Sequence, residues 1–319
     1  MTQQRCAILD DYQNVALKLA DWSALSGRID ITVFDKPFAS SDEAAAALKD
    51  FDIICAMRER TPFPRQMFEA LPNLKLLITS GMRNAAIDFE AAKSHGVTVC
   101  GTAMVGNPTA GLTIGLMLEL TRRIGFEHAR MAAGEPWQVT LGEDVEGKTL
   151  GIVGLGKLGT KVAKIAQALG MKVLAWSTNL KPETCTEAGV TYATKQDLFA
   201  QSDVITIHTV LSDRSRGLVS RDDLARMKPT AYLINTARGP IVDEAALLET
   251  LQARKIAGAG IDTYSHEPLP LDSPLRKLDN VVITPHLGYV TAENYKRIYA
   301  EMIEGIDGFL NGTPVRPLN

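Results

Sequence analysis

The chain has 319 residues, room for two domains at about 150 residues each and enough to bury a core without disulfide support. Its 34 Lys and Arg stand against 37 Asp and Glu, a formal charge of −3 with 22% of residues charged. That balance lacks the basic footprint that counterion release demands of a nucleic-acid binder, and no basic arm or polybasic tail is present.

Cys6, Cys55, Cys100 and Cys185 form no C-x-x-C pair and have no His beside them at zinc-ligand spacing. No metal site is expected, and the four read as small buried side chains in a reducing compartment. The N-terminus runs directly into a strand-like stretch at 6–10, and no apolar run approaches the roughly 18 residues of a membrane span. A cytoplasmic protein with no membrane partner is the expectation.

Up to about residue 101, apolar and β-branched runs at 29–34, 51–57, 74–80 and 97–101 predict strands. Stretches at 42–50, 63–71 and 88–95 carry Ala, Leu, Glu and Lys and begin at or beside Pro or Asp, which predicts helices. The alternation makes a compact α/β unit with a parallel sheet. From Pro108 to about Gly134 one long helix is expected, apolar nearly all round at first and then basic at Arg122, Arg123 and Arg130. Such a helix is tolerated where it is buried on several sides, and it points to a homodimer. Gly134-Glu135-Pro136 ends it.

A second series follows, with strand candidates at 149–154, 171–176, 203–209, 231–237, 258–262 and 281–285, nearly all separated by helical segments. Six strands with helical crossovers predict a doubly wound sheet. The segment 291–310 is helical again and is expected to return to the first domain. The predicted architecture is a Rossmann-type doubly wound parallel sheet, residues 103–287, inserted into a smaller flavodoxin-like α/β domain made of residues 1–102 and 288–319.

Gly154-Leu155-Gly156-Lys157-Leu158-Gly159 fits G-x-G-x-x-G, with a strand before it and a helix after it. The setting supplies the chemistry: Gly154 permits a tight turn, Gly156 lets backbone N–H groups approach a pyrophosphate, and Gly159 lets helix and strand pack closely. Lys157 and Leu158 complete the same turn, at a helix N-terminus whose unpaired donors favour an anion. A carboxylate about 20 residues on would hold the adenosine ribose, but the strand ends instead in Ser177, Thr178 and Asn179, with Lys181 beyond. Small donors and a cation in that place favour NADP(H), although NAD(H) can bind through Ser177 and Thr178.

Four later stretches lie at predicted strand ends: 207–209, 234–239, 260–270 and 283–288. In an open α/β sheet that edge binds ligands, so Arg238, Glu267 and His286 are placed there by position. With the run 235–239 (NTARG), 267–270 (EPLP) followed by Ser273-Pro274-Leu275, and Thr284-Pro285-His286, the sequence resembles the D-isomer-specific 2-hydroxyacid dehydrogenases over essentially its whole length. By that resemblance Arg238, Glu267 and His286 are the catalytic three. The residue types suit the chemistry: a guanidinium fork holds a carboxylate, an imidazole donates and accepts a proton near neutral pH, and a carboxylate orients the ring. Around the dinucleotide, His208 and Thr209, then Thr236, Ala237 and Arg238, and finally Asp262, His286 and Gly288 are expected to line the cleft. Asp262 is expected to approach the nicotinamide or its ribose. His266 is given no role.

The resemblance also implicates two loops of the first domain in binding a 2-oxo or 2-hydroxy acid: 57–61, with Arg58, and 79–84, with Ser80, Gly81 and Met82. Backbone N–H groups around Gly81 are expected to grip the substrate carboxylate, with Arg58 and Arg83 near a second anionic group. A cleft between domains predicts closure that excludes water. The chain departs from the family pattern at Ala110-Gly111, at Val210 and at 81–84, which leaves the substrate open. The competing reading is a nonenzymatic dinucleotide sensor of the corepressor type; the absence of tails or long linkers for partners weighs against it.

Overall fold

The computed structural model describes residues 3–319, and the chain divides into two compact units. One comprises the residues up to Gly106 together with Thr291–Asn319; the other is Asn107–Val290. In chain order the first run of elements is β1 (Gln4–Ile8), α1 (Ala16–Leu19), β2 (Ile29–Val33), α2 (Ser41–Leu48), β3 (Ile53–Ala56), α3 (Arg65–Ala70), β4 (Leu76–Thr79), α4 (Phe89–Ser94) and β5 (Thr98–Gly101). The next run is α5 (Pro108–Arg122), α6 (Ile124–Ala132), β6 (Thr149–Val153), α7 (Lys157–Ala168), β7 (Lys172–Trp176), α8 (Pro182–Glu187), β8 (Thr191–Tyr192) and α9 (Lys195–Gln201). Then come β9 (Val204–Ile207), α10 (Arg221–Arg226), β10 (Tyr232–Asn235), α11 (Glu244–Gln252), β11 (Gly258–Ile261), β12 (Val281–Ile283) and α12 (Ala292–Leu310).

In the first unit the five strands are parallel, in the order β2-β1-β3-β4-β5, the flavodoxin-like arrangement. β3 and β4 are buried at every residue, as strands covered on both faces must be, which is why their sequences, IICA and LLIT, do not alternate. Side-chain caps start the helices: Ser40 accepts from the N–H of Glu43, and Asp88 from that of Ala91. The C-terminal α12 lies against β4, so close that a Cβ at Gly305 would sit 2.9 Å from Ile78 Cδ1. Its buried stripe, Tyr295, Ile298, Tyr299, Met302 and Ile306, has the spacing of one helix face.

The second unit holds seven parallel strands in the order β12-β11-β10-β9-β6-β7-β8. Numbered from β6, this is the doubly wound order of dinucleotide-binding sheets with a seventh strand added at one edge. β8 is two residues long and pairs only at its neighbour β7. So short a run carries no periodicity, and the sequence does not predict it as a strand.

The single helix expected over 108–134 is instead two. α5 stops at Arg122, and Arg123 turns left-handed at φ 52° while its N–H donates to the carbonyl of Glu119 at 2.7 Å. The Glu119 carboxylate then accepts the N–H of Gly125 at 2.9 and 3.0 Å, capping α6. A side chain from one helix thus satisfies an orphan donor of the next, which an apolar pattern cannot disclose. α5 buries Ala110, Thr113, Leu116, Met117 and Leu120 and leaves Gly111 and Gly115 exposed, and α6 buries nothing. Among the described residues no helix is long and apolar enough to cross a membrane.

Candidate active site

The turn from β6 to α7 has the geometry its glycines require. Gly154 adopts φ +105°, and a Cβ there would lie 2.8 Å from Thr209 Oγ1 and 2.9 Å from the carbonyl carbon of His208. A Cβ on Gly159 would lie 2.2 Å from the oxygen of Gly154. At Gly156, by contrast, a Cβ would meet nothing within 4 Å. Gly156 is the N-cap of α7, with no side-chain cap, so the first-turn N–H groups at Lys157, Leu158 and Gly159 border open space that a side chain would fill. This fits a phosphate-bearing dinucleotide. Beside it, both ring nitrogens of His208 are buried without a hydrogen-bond partner, and burial pushes that imidazole down to about 4, which keeps it neutral.

β7 ends at Trp176, and its last carbonyl accepts the N–H of Gly154 at 2.8 Å, which brings Ser177 alongside the glycine turn. Ser177 is half-buried, Thr178, Asn179 and Lys181 are exposed, and no carboxylate occurs from 177 to 181. The sequence offers this sheet edge two hydroxyls, an amide and an ammonium.

At the same edge, β10 leads into Thr236, Ala237 and Arg238. Asn235, buried, shapes this turn: its Nδ2 donates to the carbonyl of Arg238 at 3.0 Å, and its Oδ1 accepts from the N–H of Ala237 at 3.0 Å. Arg238 Nη1 donates to the carbonyl of Ala237 at 2.7 Å. Thr236 Oγ1 lies 2.9 Å from Thr113 Oγ1 of α5. The NTARG run assigns Asn235 no role by residue type alone; the local signal is an Asn placed to bond its own backbone two residues on.

Beyond β12, His286 sits in a left-handed backbone conformation, φ 54°, and its Nδ1 is 2.7 Å from Glu267 Oε2. Burial works against the charged form of Glu267, but the imidazole, the Tyr264 N–H at 2.9 Å and the charge of Arg238 outweigh it and hold the carboxyl below its usual range. His286 and Arg238, two of the groups expected to act together, therefore both bear on the third, Glu267, at one end of one sheet. Asp262 is fully buried and engaged by protein donors: Thr284 Oγ1 at 2.6 Å, Leu287 N–H at 2.7 Å and Gly288 N–H at 2.9 Å. Its burial raises its carboxyl, with those hydrogen bonds pulling the other way. Gly288 is packed between Asp262 Oδ2 and Thr109, each 3.2 Å from where a Cβ would stand.

In the first unit, Arg58 also adopts a left-handed conformation, φ 54°. Its Nη1 donates to the carbonyl of Ser80 at 3.1 Å and its backbone N–H to Ser80 Oγ at 2.8 Å, so its guanidinium props the 80–83 loop. The Gly81 N–H, expected to face a carboxylate, donates to Thr102 Oγ1 at 3.0 Å. Met82 is half exposed. Thr102 and Asn84, whose Nδ2 donates to the carbonyl of Arg58 at 2.7 Å, hold this loop and carried no distinctive sequence signal. His266 is exposed. Among the described residues no group of His, Cys, Asp and Glu is arranged to hold a metal ion.

Comparison with known proteins bears on this geometry. Residues 114–288 match the family model described as D-isomer specific 2-hydroxyacid dehydrogenase, NAD binding domain. A hydroxypyruvate reductase of Blautia hydrogenotrophica is 33% identical over 309 residues, covering 94% of this chain and 95% of that protein. A glyoxylate reductase of Korarchaeum cryptofilum is 34% identical over 272 residues, covering 83% of this chain and 81% of that one. Among solved structures, a phosphoglycerate oxidoreductase from Vibrio cholerae superposes with a TM-score of 0.92 at 34% identity, covering 98% of this chain and 100% of its own. With its glycine turn, its sheet order and these relatives, the chain belongs to the D-isomer-specific 2-hydroxyacid dehydrogenases, oxidoreductases with a nicotinamide-dinucleotide-binding domain.

Proposed function

We propose that the protein interconverts small 2-oxo acids and D-2-hydroxy acids, with Arg238 binding the substrate carboxylate, His286 exchanging a proton with the oxygen on C2, and Glu267 orienting the imidazole. The observation that carries this reading is the 2.7 Å pairing of His286 Nδ1 with Glu267 Oε2, close enough to Arg238 for its charge to act on the carboxylate. An ionised carboxylate only accepts, so the pairing fixes the proton on Nδ1 and leaves Nε2 for the substrate. In reduction Nε2–H is donated to the carbonyl oxygen; in oxidation Nε2 takes the proton of the hydroxyl. A planar guanidinium at Arg238 suits bidentate binding of a carboxylate and polarises the adjacent carbonyl. A bound nicotinamide dinucleotide supplies the hydride in reduction and accepts it in oxidation.

The residues assigned to hold that dinucleotide are Gly154, Gly156, Lys157, Leu158 and Gly159 at the phosphates, Ser177, Thr178, Asn179 and Lys181 at the adenosine ribose, and His208, Thr209, Thr236, Ala237, Asp262 and Gly288 along the sheet edge. The absence of a carboxylate from 177 to 181 supports NADP(H) over NAD(H). Ser80, Gly81 and Met82 are the substrate contacts assigned in the first unit, with Arg58 holding their loop. Glyoxylate, hydroxypyruvate and phosphoglycerate are the compounds for which the relatives are named and are the first to test. Four buried free cysteines accord with a reducing compartment. The exposed Ile124, Phe126, Met131, Trp137, Val139 and Leu141 support a homodimer.

The test is consumption of NADPH and NADH with glyoxylate, hydroxypyruvate, pyruvate and phenylpyruvate, beside His286→Ala and Arg238→Ala. His286→Ala should lower kcat by at least about a hundredfold and leave dinucleotide affinity intact, while Arg238→Ala should raise KM and lower kcat together. Equal turnover in all three proteins refutes the mechanism, and no turnover with any substrate favours the sensor.

A further inference from the structure

Arg238, Glu267 and His286 come from the ends of three different strands, yet the backbone or side chain that carries each of them touches the same residue. Tyr264 lies three residues beyond β11. Its N–H donates to Glu267 Oε1 at 2.9 Å, while Oε2 of the same carboxylate takes the imidazole of His286. Its hydroxyl is 2.9 Å from the carbonyls of both Ile261 and Thr284, and the Thr284 carbonyl also accepts the N–H of His286 at 3.0 Å. On the third side, Gly239 follows Arg238 and packs so tightly that a Cβ there would be 2.1 Å from the carbonyl carbon of Tyr264. Tyr264 is 8% exposed and belongs to the core of the second unit.

We propose that Tyr264 is a positioning residue that fixes the mutual placement of Arg238, Glu267 and His286, its hydroxyl holding the Thr284 carbonyl and thereby the left-handed turn that presents the imidazole. The proposal rests on the roles given above to those three residues. A non-glycine residue at positive φ costs roughly 1–2 kcal/mol and persists only where its surroundings over-determine it. Here Asp262 fixes one side of the turn through Leu287 and Gly288, and Tyr264 fixes the other through Thr284. Burial, reinforced by the charges of Asp262 and Glu267, pushes the phenol far above its ordinary range, so it remains a donor throughout the working pH range.

Tyr264→Phe keeps the ring, the N–H to Glu267 and the contact at Gly239, and it removes only the hydroxyl. Asp262 still holds the turn, so the variant should fold, with a melting temperature within about 5 °C of the parent. Since a misplacement near 1 Å costs about a hundredfold, a loosened imidazole should lower kcat about ten- to a hundredfold. KM for the 2-oxo acid and Kd for the dinucleotide should stay within about twofold, because Arg238 and the glycine turn are untouched. A second readout needs no cofactor: the low-field proton of His286 Nδ1–H, identified by its loss in His286→Gln, should broaden in Tyr264→Phe. Parent-like kcat, a KM rise matching the kcat loss, or an undisturbed proton signal overturns the proposal. If His286→Ala also turns over like the parent, the reading of the whole site fails instead, so the two failures are distinguishable.

Discussion

The same substitution placed at two glycines of one turn should have opposite consequences. At Gly159 a methyl would stand 2.2 Å from the oxygen of Gly154. An ordinary non-bonded contact lies near 3.5 Å, so α7 and the turn would have to separate by about 1.3 Å. Overpacking of that kind costs about 1–3 kcal/mol, and for a unit of this size each kcal/mol lowers the melting temperature by about 2–4 °C, a total of about 2–12 °C. At Gly156 the methyl would meet nothing within 4 Å, and φ −88°, ψ −165° is open to alanine. The entropy lost from the unfolded chain, worth about 0.4–1 kcal/mol, offsets the poorer N-cap, so Gly156→Ala should melt within about 3 °C of the parent. What it should lose is dinucleotide binding. The methyl occupies the space through which a phosphate reaches the first-turn N–H groups, and charge-assisted bonds of about 1.5–3 kcal/mol convert to about a 10- to 100-fold weaker Kd. Differential scanning fluorimetry and calorimetric titration with NADPH and NADH measure both effects. Parent-like affinity in Gly156→Ala, or a parent-like melt in Gly159→Ala, would refute the assignment of this turn.

Gly239→Ala should fold poorly or lose most activity, because the new methyl would face Tyr264 and Ser265 backbone atoms at 2.1–2.5 Å; soluble yield and kcat report it. Ser177→Asp should weaken NADPH at least about tenfold and leave NADH nearly unchanged, since a carboxylate repels a 2′-phosphate; a parent enzyme that already prefers NADH in Kd and kcat sinks the NADP(H) assignment. Glu267→Gln should lower kcat at least about tenfold by replacing the charged carboxylate beside His286 with a neutral amide that stabilises the imidazolium less. The folded-state pKa of Glu267 is depressed, so its pairing contributes stability that is fully present above the unfolded-state value near 4.3 and is lost as pH falls through the lower folded value. Melting curves of parent and Glu267→Gln should therefore differ most at neutral pH and converge toward pH 3; a constant gap contradicts the shift.

Much of the candidate site was legible because its motifs are local. Gly154, Gly156 and Gly159 declare themselves by spacing, between a strand and a helix, and the structure gives Gly154 and Gly159 a steric reason while Gly156 borders open space. Arg238, Glu267 and His286 stood at predicted strand ends, and parallel pairing is enough to bring such ends to one edge. Less legible were groups whose function depends on what they meet. Arg58 is expected near a substrate anion, and that its guanidinium also bonds a loop carbonyl could not be read from the sequence. Asp262 was placed at the cofactor by position, and the bonds its oxygens accept from Thr284, Leu287 and Gly288 could not be read from the sequence. Tyr264 drew no notice, since an aromatic residue after a strand is ordinarily core.

By itself the sequence determined most of the elements, their α/β alternation and the glycine turn between β6 and α7, because these follow from side-chain periodicity and from backbone freedom a few residues apart. Only the tertiary structure decided where α5 ends, which donors occupy Asp262, and that one tyrosine touches the carriers of three site residues. The contacts that Asp262 and the Tyr264 hydroxyl make beyond β12 cross 20 to 26 residues and are set by how strands register, while α5 ends on a side-chain cap only six residues away that no apolar pattern discloses.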